Sequence, residues 1–516
     1  MSLIDIKGLH IAFPGVGEVV HGIDLTIAPG ESVALVGESG SGKSVTARSL
    51  LGLGGIVRAE RFTIDGEDVR THAERDWRRI RGRRIGYVLQ DALTSLDPLR
   101  RIGQQVADAG APDRAGALRI LSSVGIPAPE TRLPQYPHQL SGGLRQRALI
   151  GTAIAREPAL VIADEPTTAL DVTVQKQILD LLEARKAAGN ALLLISHDLA
   201  VVARLASRVL VMRNGRVVEE GPTSEVLRHP RHPYTRQLLD AIPTAASRGK
   251  RLAPRGADPL PPKHIDASRT VLEVQDLHKR FSGTPAVNGV SFRLAAGEAL
   301  GIVGESGSGK TTVARMVMGL TEPDSGRILL DGQQFSRIPE VQRRPLRAGV
   351  QLIAQDPLGS FDPRYTVERI VGESLDTLGV FGAERRARVR EVLEAVHLPE
   401  RFLQSRPRDL SGGQRQRVAI ARAFAPRPRL IVADEPVSAL DVSIQAQVLD
   451  LLAELQAEFG TALLFISHDL GVVHHLTDRM IVMRGGEVVE EGDVTRVFTA
   501  PKAPYTRELI AAIPTL

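Results

Sequence analysis

The sequence contains no cysteine and few aromatic residues. Without cysteine, the chain can form neither disulfides nor a thiolate-held metal or iron–sulfur centre. Aromatic residues make up 3% of the chain, which disfavours single-stranded nucleic-acid binding, because that binding uses aromatic rings as stacking platforms. No run of 18 or more apolar residues occurs, so we expect no helix that spans a bilayer.

The rest of the composition is ordinary for a globular protein. Of the 516 residues, 43% are hydrophobic and 24% are charged, and this length favours two to four domains. The net charge of +5 is small for the length, so it gives little support to nucleic acid as a partner. The N-terminus has no basic region followed by a long apolar stretch, so we expect no secretory signal and a cytoplasmic location.

The chain repeats four motifs at a nearly constant offset of about 270 residues. The pairs are GESGSGKS (37–44) with GESGSGKT (304–311), LSGGLRQR (140–147) with LSGGQRQR (410–417), VIADEP (161–166) with IVADEP (431–436), and LLLISHDL (192–199) with LLFISHDL (463–470). A constant offset across separate motifs indicates a duplicated domain. We therefore predict domains over 1–245 and 270–516, joined by a Pro-, Gly- and Arg-containing linker over 246–269.

Apolar runs of strand length alternate with helix-like segments in each half. The runs ALVIADE and ALLLISHD are almost continuously apolar, as expected of strands buried on both faces of a parallel sheet. Asn214-Gly215 and Gly485-Gly486 each separate two alternating segments, which predicts β-hairpins. The pattern indicates an α/β architecture with antiparallel additions, present twice.

The first motif of each half has the spacing G-x-x-x-x-G-K-[ST] between a predicted strand and a predicted helix. Its glycines let consecutive backbone N–H groups turn towards phosphate oxygens. Only nine of the 65 basic residues are lysines, yet Lys43 and Lys310 both occupy these loops, where a compact ammonium suits the β- and γ-phosphates. The hydroxyls of Ser44 and Thr311 are expected to bind Mg²⁺. The alternative is a glycine-rich turn that binds nothing.

A pair of carboxylates follows the next buried strand in each half. Asp164 and Asp434 lie at the strand end, which suits Mg²⁺ binding, and Glu165 and Glu435 come next. The second carboxylate of such a pair can orient or deprotonate an attacking water. Solvated strand-end acids are the alternative interpretation.

The order of P-loop, LSGGQ, Asp-Glu and strand-end histidine resembles that of the ATP-binding cassette (ABC) nucleotide-binding domain. The resemblance covers nearly the whole chain in two copies. It implies tandem P-loop NTPase (RecA-like) domains of α/β fold, each with an antiparallel β subdomain and a helical subdomain. In that family the two domains pack head to tail, with each ATP between the P-loop of one and the signature of the other. The resemblance thus implies an intramolecular dimer of the two domains.

The family's functional residues transfer to matching positions of this sequence. The resemblance assigns catalysis to Glu165, Glu435, His197, His468, Gln90 and Gln355. It assigns Mg²⁺ to Ser44, Gln90, Asp164, Thr311, Gln355 and Asp434. It assigns ATP binding to Phe13, Gly37, Ser39, Gly40, Ser41, Gly42, Lys43, Ser44, Ser141, Gly142 and Gly143, and to Phe281, Gly304, Ser306, Gly307, Ser308, Gly309, Lys310, Thr311, Ser411, Gly412, Gly413 and Gln414. Phe13 and Phe281 would stack on adenine, although each suits a core position equally well.

The first signature departs from the family pattern, with Leu144 where the second has Gln414. This loses one polar contact but keeps the serine and both glycines. Both pairs of carboxylates and both histidines remain, so we expect both sites to hydrolyse ATP, with unequal rates allowed.

Two further segments resemble the dipeptide, oligopeptide and nickel import ATPases. These are the segments after the glutamines (89–100 and 354–364) and the extensions HPRHPYTRQLLDAIP (229–243) and APKAPYTRELIAAIP (500–514). The second extension has Ala503 where the first has His232. Many family members carry an iron–sulfur cluster in this extension, and without cysteine this chain cannot.

The resemblance implies an ATPase that energises peptide import. Its expected partners are two transmembrane permease subunits and an extracytoplasmic substrate-binding protein, and its expected location is the cytoplasmic face of the inner membrane. Nickel chelates, glutathione and sugars remain open as substrates. The main alternative is a soluble twin-cassette ATPase acting on ribosomes or DNA; an exporter ATPase and a non-hydrolysing scaffold are two others. The basic run RRIRGRR (78–84) is interpreted as a solvated face, so we expect no nucleic acid.

Overall fold

The computed structural model describes residues 2–90, 92–168, 170–253, 259–438 and 440–513. The chain forms two compact units, with the first ending at Leu239 and the second beginning at Asp240. Parts of the predicted linker (254–258) and of the second extension (514–516) lie outside the described residues. Within the described residues, no helix has the length and apolar character needed to cross a membrane.

The first unit contains eleven described strands and eleven described α-helices. The strands are β1 (Ile4–Phe13), β2 (Gly17–Ile27), β3 (Ser32–Val36), β4 (Ile56–Arg58), β5 (Arg61–Ile64), β6 (Glu67–Asp68), β7 (Ile85–Val88), β8 (Leu160–Asp164), β9 (Ala191–Ile195), β10 (Arg208–Arg213) and β11 (Arg216–Pro222). The helices are α1 (Lys43–Ser49), α2 (Glu74–Ile80), α3 (Ala92–Ser95), α4 (Ile102–Ala109), α5 (Arg114–Ser123), α6 (Pro129–Arg132), α7 (Gly142–Ile154), α8 (Val172–Ala187), α9 (Leu199–Leu205), α10 (Thr223–Arg228) and α11 (Pro233–Asp240).

The second unit repeats this order, with no described strand at the place of β4 and no described α-helix at the places of α3 and α6. Its strands are β12 (Asp266–Phe281), β13 (Thr284–Ala296), β14 (Ala299–Val303), β15 (Ser325–Leu330), β16 (Gln333–Gln334), β17 (Val350–Ile353), β18 (Leu430–Asp434), β19 (Ala462–Ile466), β20 (Arg479–Arg484) and β21 (Glu487–Asp493). Its helices are α12 (Lys310–Val317), α13 (Glu340–Arg343), α14 (Val367–Asp376), α15 (Gly382–Ala395), α16 (Gly412–Phe424), α17 (Val442–Phe459), α18 (Leu470–Leu476), α19 (Val494–Thr499) and α20 (Pro504–Ala511).

Each unit combines a mostly parallel sheet with a smaller antiparallel one. The large sheets have the orders β11-β10-β3-β9-β8-β7 and β17-β18-β19-β14-β20-β21, and only the edge strands β11 and β21 run antiparallel. The small sheets have the orders β2-β1-β5-β6, with β4 beside β1, and β13-β12-β15-β16. Helices α4, α5 and α7 pack together in the first unit, as α14, α15 and α16 do in the second. The expected tandem fold with antiparallel and helical subdomains is confirmed.

The central strands of the parallel sheets explain the apolar runs in the sequence. Every residue of β3, β8 and β9 is buried, because helices cover both faces of such a sheet. The two predicted hairpins also form, since β10 pairs with β11 and β20 with β21. Asn214 (φ 48°) and Gly215 (φ 73°) both have the positive φ that a two-residue hairpin turn requires.

The predicted linker contains ordered segments packed on the second unit. Arg248 donates hydrogen bonds to the carbonyls of His474 (2.9 Å) and Thr477 (2.7 Å). The N–H groups of Leu252 and Ala253 donate to the two carboxylate oxygens of Asp450, at 3.0 and 2.9 Å. Strand β12 begins at Asp266, four residues before the predicted domain start. A Pro- and Arg-rich composition predicts irregular backbone, but it does not reveal a partner surface elsewhere in the chain.

Candidate nucleotide-binding and hydrolysis sites

Each P-loop connects a central strand to a helix, β3 to α1 and β14 to α12. Gly37 has φ 146° and Gly304 φ 152°, a region open to glycine and strained for other residues. A Cβ atom at Gly37 would lie 2.2 Å from the carbonyl oxygen of Met212. The other loop glycines also have positive φ, at Gly40 (78°), Gly42 (100°), Gly307 (81°) and Gly309 (102°). All six loop glycines therefore hold a backbone conformation that favours glycine, and Gly37 and Gly304 also pack closely on the carbonyls of Met212 and Met483.

The P-loop lysines are buried, and their ammonium groups lie against the loop backbone. Lys43 Nζ donates to the carbonyl oxygens of Gly37 and Glu38, both at 2.7 Å. Lys310 Nζ makes the same bonds to Gly304 and Glu305, both at 2.8 Å. The ammonium groups also approach Ser41 Oγ (3.3 Å) and Ser308 Oγ (3.5 Å), respectively. The predicted phosphate-binding lysines thus lie at the centre of their loops.

The hydroxyl that follows each lysine reaches the carboxylate at the end of the neighbouring strand. Ser44 Oγ donates to Asp164 Oδ1 at 2.9 Å, and Thr311 Oγ1 donates to Asp434 Oδ1 at 3.4 Å. Burial raises the pKa of Asp164, and hydrogen bonds from Tyr87 and Ser44 oppose that rise. A hydroxyl next to a carboxylate supplies the oxygen ligands that Mg²⁺ prefers. The residues therefore fit the expected magnesium ion.

A glutamine, a glutamate and a histidine from separate segments meet next to this pair. Gln90 Nε2 donates to Glu165 Oε2 at 2.7 Å, and His197 Nδ1 lies 3.2 Å from Glu165 Oε1. In the second unit, Gln355 Nε2 donates to Glu435 Oε2 at 3.0 Å, and His468 Nδ1 lies 3.3 Å from Glu435 Oε1. The three predicted catalytic residues are thus in contact within each unit.

The surroundings favour the charged forms of both glutamates and of His468. Burial raises the pKa of Glu435, but the hydrogen bond and charge of His468 and the charge of Lys310 outweigh burial, so the pKa lies below its ordinary value. Glu165 follows the same pattern with His197 and Lys43. Burial lowers the pKa of His468, and Glu435 more than compensates, so that pKa is raised. An ionised glutamate can accept a proton from an attacking water.

Both glutamates have a left-handed backbone conformation. Their φ values are 48° for Glu165 and 49° for Glu435, which is uncommon for residues other than glycine. The N–H of Glu165 donates to Ile195 at 2.8 Å, and that of Glu435 to Ile466 at 2.9 Å. These bonds hold the strained residues against the strands that lead to the histidines.

The signature serines begin the helices α7 and α16. Ser141 Oγ accepts from Leu144 N at 3.4 Å, and Ser411 Oγ accepts from Gln414 N at 3.3 Å. The Gln414 side chain also accepts from Ser411 N at 2.9 Å, which completes a capping box. Leu144 has no polar group to make this bond, so the departure noted in the sequence weakens the helix cap.

The two signature glycines of each unit differ in their surroundings. A Cβ atom at Gly143 would lie 2.6 Å from Val174, and one at Gly413 would lie 2.7 Å from Ile444. Gly142 and Gly412 face open space. Packing against α8 and α17 therefore explains the second glycine of each signature, while the first leaves backbone exposed.

The two predicted adenine-stacking residues have different exposures. Phe13 ends β1 and packs, partly buried, against the core of the first unit. Phe281 ends β12 and is 51% exposed, with Lys279 Nζ 5.6 Å from its ring centroid. Only Phe281 presents a largely open ring; stacking on adenine stays a prediction for both.

Two residues that the sequence did not single out, Tyr87 and Thr168, contact the acidic pair of the first unit. Tyr87 donates its hydroxyl to Asp164 Oδ2 at 2.7 Å, and Thr168 Oγ1 donates to Glu165 Oε2 at 3.1 Å. Tyr87 lies three residues before Gln90 on β7, which pairs with β8. The available signal was a tyrosine on the strand that pairs with β8, the strand that ends at Asp164. The second unit has Leu352 at the position of Tyr87.

Comparison with known families gives two matches in each half. Residues 20–168 and 287–438 match the ABC transporter family. Residues 218–267 and 489–516 match the C-terminal region of oligopeptide/dipeptide transporters. The latter match in the first half reaches beyond Pro243 into the predicted linker.

Curated relatives match over nearly the full chain. The peptidoglycan transport ATP-binding protein YejF of Agrobacterium fabrum is 43% identical over 540 residues, covering 99% of this chain and 96% of its own. The glutathione import ATP-binding protein GsiA of Escherichia coli K12 is 41% identical over 558 residues, covering 99% and 90%.

Among solved structures, cbiO1 from Clostridium perfringens, part of the ABC transporter complex cbiONQ, matches 45% of this chain and 92% of its own at 30% identity, with a TM-score of 0.42.

The family match covers more than half of the chain, and the relatives span it almost completely. The chain therefore belongs to the ABC transporter family, as an ATP-hydrolysing subunit of its oligopeptide/dipeptide import group.

Proposed function

We propose that the two cassettes form two ATP·Mg²⁺ sites that both hydrolyse ATP. One observation carries the proposal: the contact of glutamine, glutamate and histidine beside a buried P-loop lysine occurs twice, with the same partners. Each P-loop would face the signature of the other cassette, as the family's head-to-tail arrangement implies. The covalent link between the cassettes would make this dimer intramolecular.

In the proposed reaction, Glu165 and Glu435 act as general bases. Each accepts a hydrogen bond from its glutamine (Gln90 or Gln355) and contacts its histidine, which fixes the carboxylate in its ionised form. Lys43 and Lys310 would contact the β- and γ-phosphates. Mg²⁺, when bound by the hydroxyl–aspartate pair of each unit, would neutralise phosphate charge. Signature residues Ser141 and Ser411 would cap the γ-phosphate, with Gly143, Gly413 and Gln414.

Hydrolysis would energise the import of short peptides or peptide-containing compounds. Support comes from the C-terminal region, which matches oligopeptide/dipeptide transporters in both halves. Further support comes from relatives named for glutathione and peptidoglycan transport, because both compounds contain peptide bonds. Two transmembrane permeases would form the pore, and an extracytoplasmic binding protein would deliver the substrate. The chain would then lie at the cytoplasmic face of the inner membrane.

Transport assays in proteoliposomes test this proposal. The chain would be co-expressed with its permeases and binding protein, and uptake of labelled dipeptides and glutathione measured with internal ATP·Mg²⁺. We expect ATP-dependent uptake that a Glu165→Gln/Glu435→Gln double variant abolishes. Purification on ribosomes without any membrane partner would instead support the twin-cassette alternative.

A further inference from the structure

Each C-terminal extension contacts the P-loop of its own unit through a tyrosine. Tyr234 on α11 accepts a hydrogen bond at its hydroxyl oxygen from the N–H of Glu38, at 3.0 Å. Tyr505 on α20 accepts the same bond from Glu305, at 3.1 Å. The tyrosines are 2% and 5% exposed. The tyrosine of the Pro-Tyr-Thr motif therefore contacts the P-loop in both cassettes.

The peptide unit that receives this contact also binds the P-loop lysine. The amide N–H of Glu38 and the carbonyl of Gly37 belong to one planar peptide. The carbonyl oxygen accepts from Lys43 Nζ at 2.7 Å, and the N–H points to Tyr234. Because N–H and C=O point in opposite directions in a trans peptide, lysine and tyrosine hold the peptide from opposite sides. Each bond polarises the peptide and strengthens the other.

The second unit repeats this arrangement atom for atom. The carbonyl of Gly304 accepts from Lys310 Nζ at 2.8 Å, and the N–H of Glu305 donates to Tyr505. Both units therefore place a tyrosine hydroxyl where it fixes the peptide that orients the lysine. Recurrence in two cassettes that differ elsewhere argues against a chance contact.

Other contacts hold the tyrosines in place. The guanidinium carbon of Arg213 lies 4.8 Å from the ring centroid of Tyr234, and that of Arg484 lies 4.6 Å from that of Tyr505. These arginines end β10 and β20, directly after the methionines whose carbonyls border the first P-loop glycine. Extension, strand end and P-loop thus form one packed layer.

A glutamate on the hairpin anchors the start of each extension. Glu219 accepts from the N–H groups of Arg231 (2.7 Å) and His232 (3.2 Å). Glu490 accepts from those of Lys502 (2.8 Å) and Ala503 (3.0 Å). In the first extension, His232 Nδ1 also accepts from Tyr234 N at 3.1 Å. Ala503 cannot do so, yet the tyrosine contact persists, so the changed residue leaves the P-loop connection intact.

We infer that Tyr234 and Tyr505 are positioning residues for Lys43 and Lys310, and that through them each C-terminal extension sets the affinity of the adjacent P-loop for ATP. This inference rests on the proposed role of the two lysines at the ATP phosphates. A lysine contact made equally in the ground and transition states changes KM and leaves kcat unchanged. Loss of the hydroxyl should therefore act mainly on KM.

The test uses the full chain with Tyr234→Phe and Tyr505→Phe, singly and together. This change removes the hydroxyl and keeps the ring. We expect the KM for ATP of the double variant to rise about three- to tenfold, as loss of one hydrogen bond predicts, with kcat within twofold. Hydrogen–deuterium exchange at the amides of Glu38 and Glu305 should become faster. Tyr136→Phe, the same change at a tyrosine that stacks on His138, is the matched control.

The outcomes separate this inference from the proposed function. An unchanged KM with unchanged amide exchange overturns the inference. So does an equal rise in KM for the Tyr136→Phe control, or a fall in kcat that follows only the folded fraction in thermal unfolding. Lys43→Ala and Lys310→Ala test the underlying function. If they bind ATP like the wild type, the proposed function fails; if only they lose ATP, the tyrosine inference alone fails.

Discussion

The same aspartate has opposite surroundings in the two cassettes. Asp180 on α8 is 47% exposed and pairs with Arg204 on α9 and with Lys176. Its counterpart Asp450 on α17 is 4% exposed. It accepts hydrogen bonds from the backbone N–H groups of Leu252 and Ala253, in the segment after the first cassette. A surface ion pair and a buried anchor thus occupy one position of the repeat.

The substitutions around this aspartate explain the difference. Ala446 and His475 stand where the first cassette has Lys176 and Arg204. These changes remove two permanent charges from the surface around Asp450. His475 Nδ1 lies 3.0 Å from Ser247 Oγ. Burying unpaired charge is costly, so the loss of charge is what allows the segment to pack there. The comparison shows that the two cassettes share the same contacts of glutamine, glutamate and histidine and differ on the surface around this aspartate.

The largest expected effect concerns the feature that the two cassettes share, the contact of glutamine, glutamate and histidine. Glu165→Gln and Glu435→Gln each remove a proposed general base, and a general base is worth about 10²–10⁴-fold at its own site. We expect each single variant to lose a substantial share of steady-state ATP turnover and the double variant to lose at least about 100-fold. If one single variant keeps full turnover, its site does not hydrolyse ATP.

The next effect concerns the buried aspartate. Asp450→Ala leaves two buried N–H groups without an acceptor, so we expect a loss of about 2–4 kcal/mol in the unfolding free energy of the second unit. Asp180→Ala, the matched control, removes a surface ion pair and should cost within about 1 kcal/mol. Urea denaturation measures both. Equal losses in the two variants would show that the segment does not depend on Asp450.

The pH dependence of stability should differ between the surface around Asp180 in the first cassette and the surface around Asp450 in the second. Burial, with the charges of Arg248 and His474, lowers the pKa of His475 to about 4, although the bond to Ser247 opposes this. The folded state keeps His475 neutral while the unfolded state is protonated below about pH 6.5. Stability is therefore lost as pH falls from 6.5 towards 4, by about 1.4 kcal/mol per pH unit.

His475→Gln should remove that part of the slope in calorimetric scans between pH 6.5 and 5.5. Arg204 at the equivalent position stays charged throughout this range, so Arg204→Gln serves as the control with an unchanged slope. A slope in the second unit that persists in His475→Gln would assign it to other groups.

The smallest expected effect lies at the aspartates of the two proposed Mg²⁺ sites, Asp164 and Asp434. Tyr87 occupies one oxygen of Asp164, whereas Leu352 leaves Asp434 without that bond. Tyr87→Phe should release the carboxylate and lower the Mg²⁺ concentration for half-maximal ATPase about two- to fivefold in a background where Glu435→Gln silences the second site. Leu352→Tyr, in the reverse background, should raise it. No shift in either variant would show that the phenol does not compete with the metal.

Local patterns predicted the elements and most of the residues that lie together in the candidate site. The P-loops, the strand-end acids and the hairpins each depend on a few consecutive residues, and the structure brings Gln90, Glu165 and His197 into contact. Tyr87 escaped prediction because its partner is 77 residues away, on a strand whose neighbour cannot be read from spacing. The sequence shows Leu144 in place of glutamine, but the lost bond to Ser141 N depends on how helix α7 begins.

The packed segment of the predicted linker illustrates the same limit. Arg248 and Leu252 lie in the segment whose composition predicts a linker between the two cassettes. Packing depends on Asp450, about 200 residues away, and on charges missing from the neighbouring helix. Such a surface is recognisable only when the two copies are compared position by position.

The left-handed backbone conformation at Glu165 and Glu435 lowers the stability of the fold at the two positions where the proposed function needs a carboxylate. A residue other than glycine in this region carries a strain of about 1–3 kcal/mol, which the strand contacts of each glutamate must overcome. Exchange for glycine would relieve the strain, and the inactive protein would then be more stable than the active one. Selection for a robust fold alone would therefore remove these glutamates, and their presence at both positions is what the proposed catalytic role predicts.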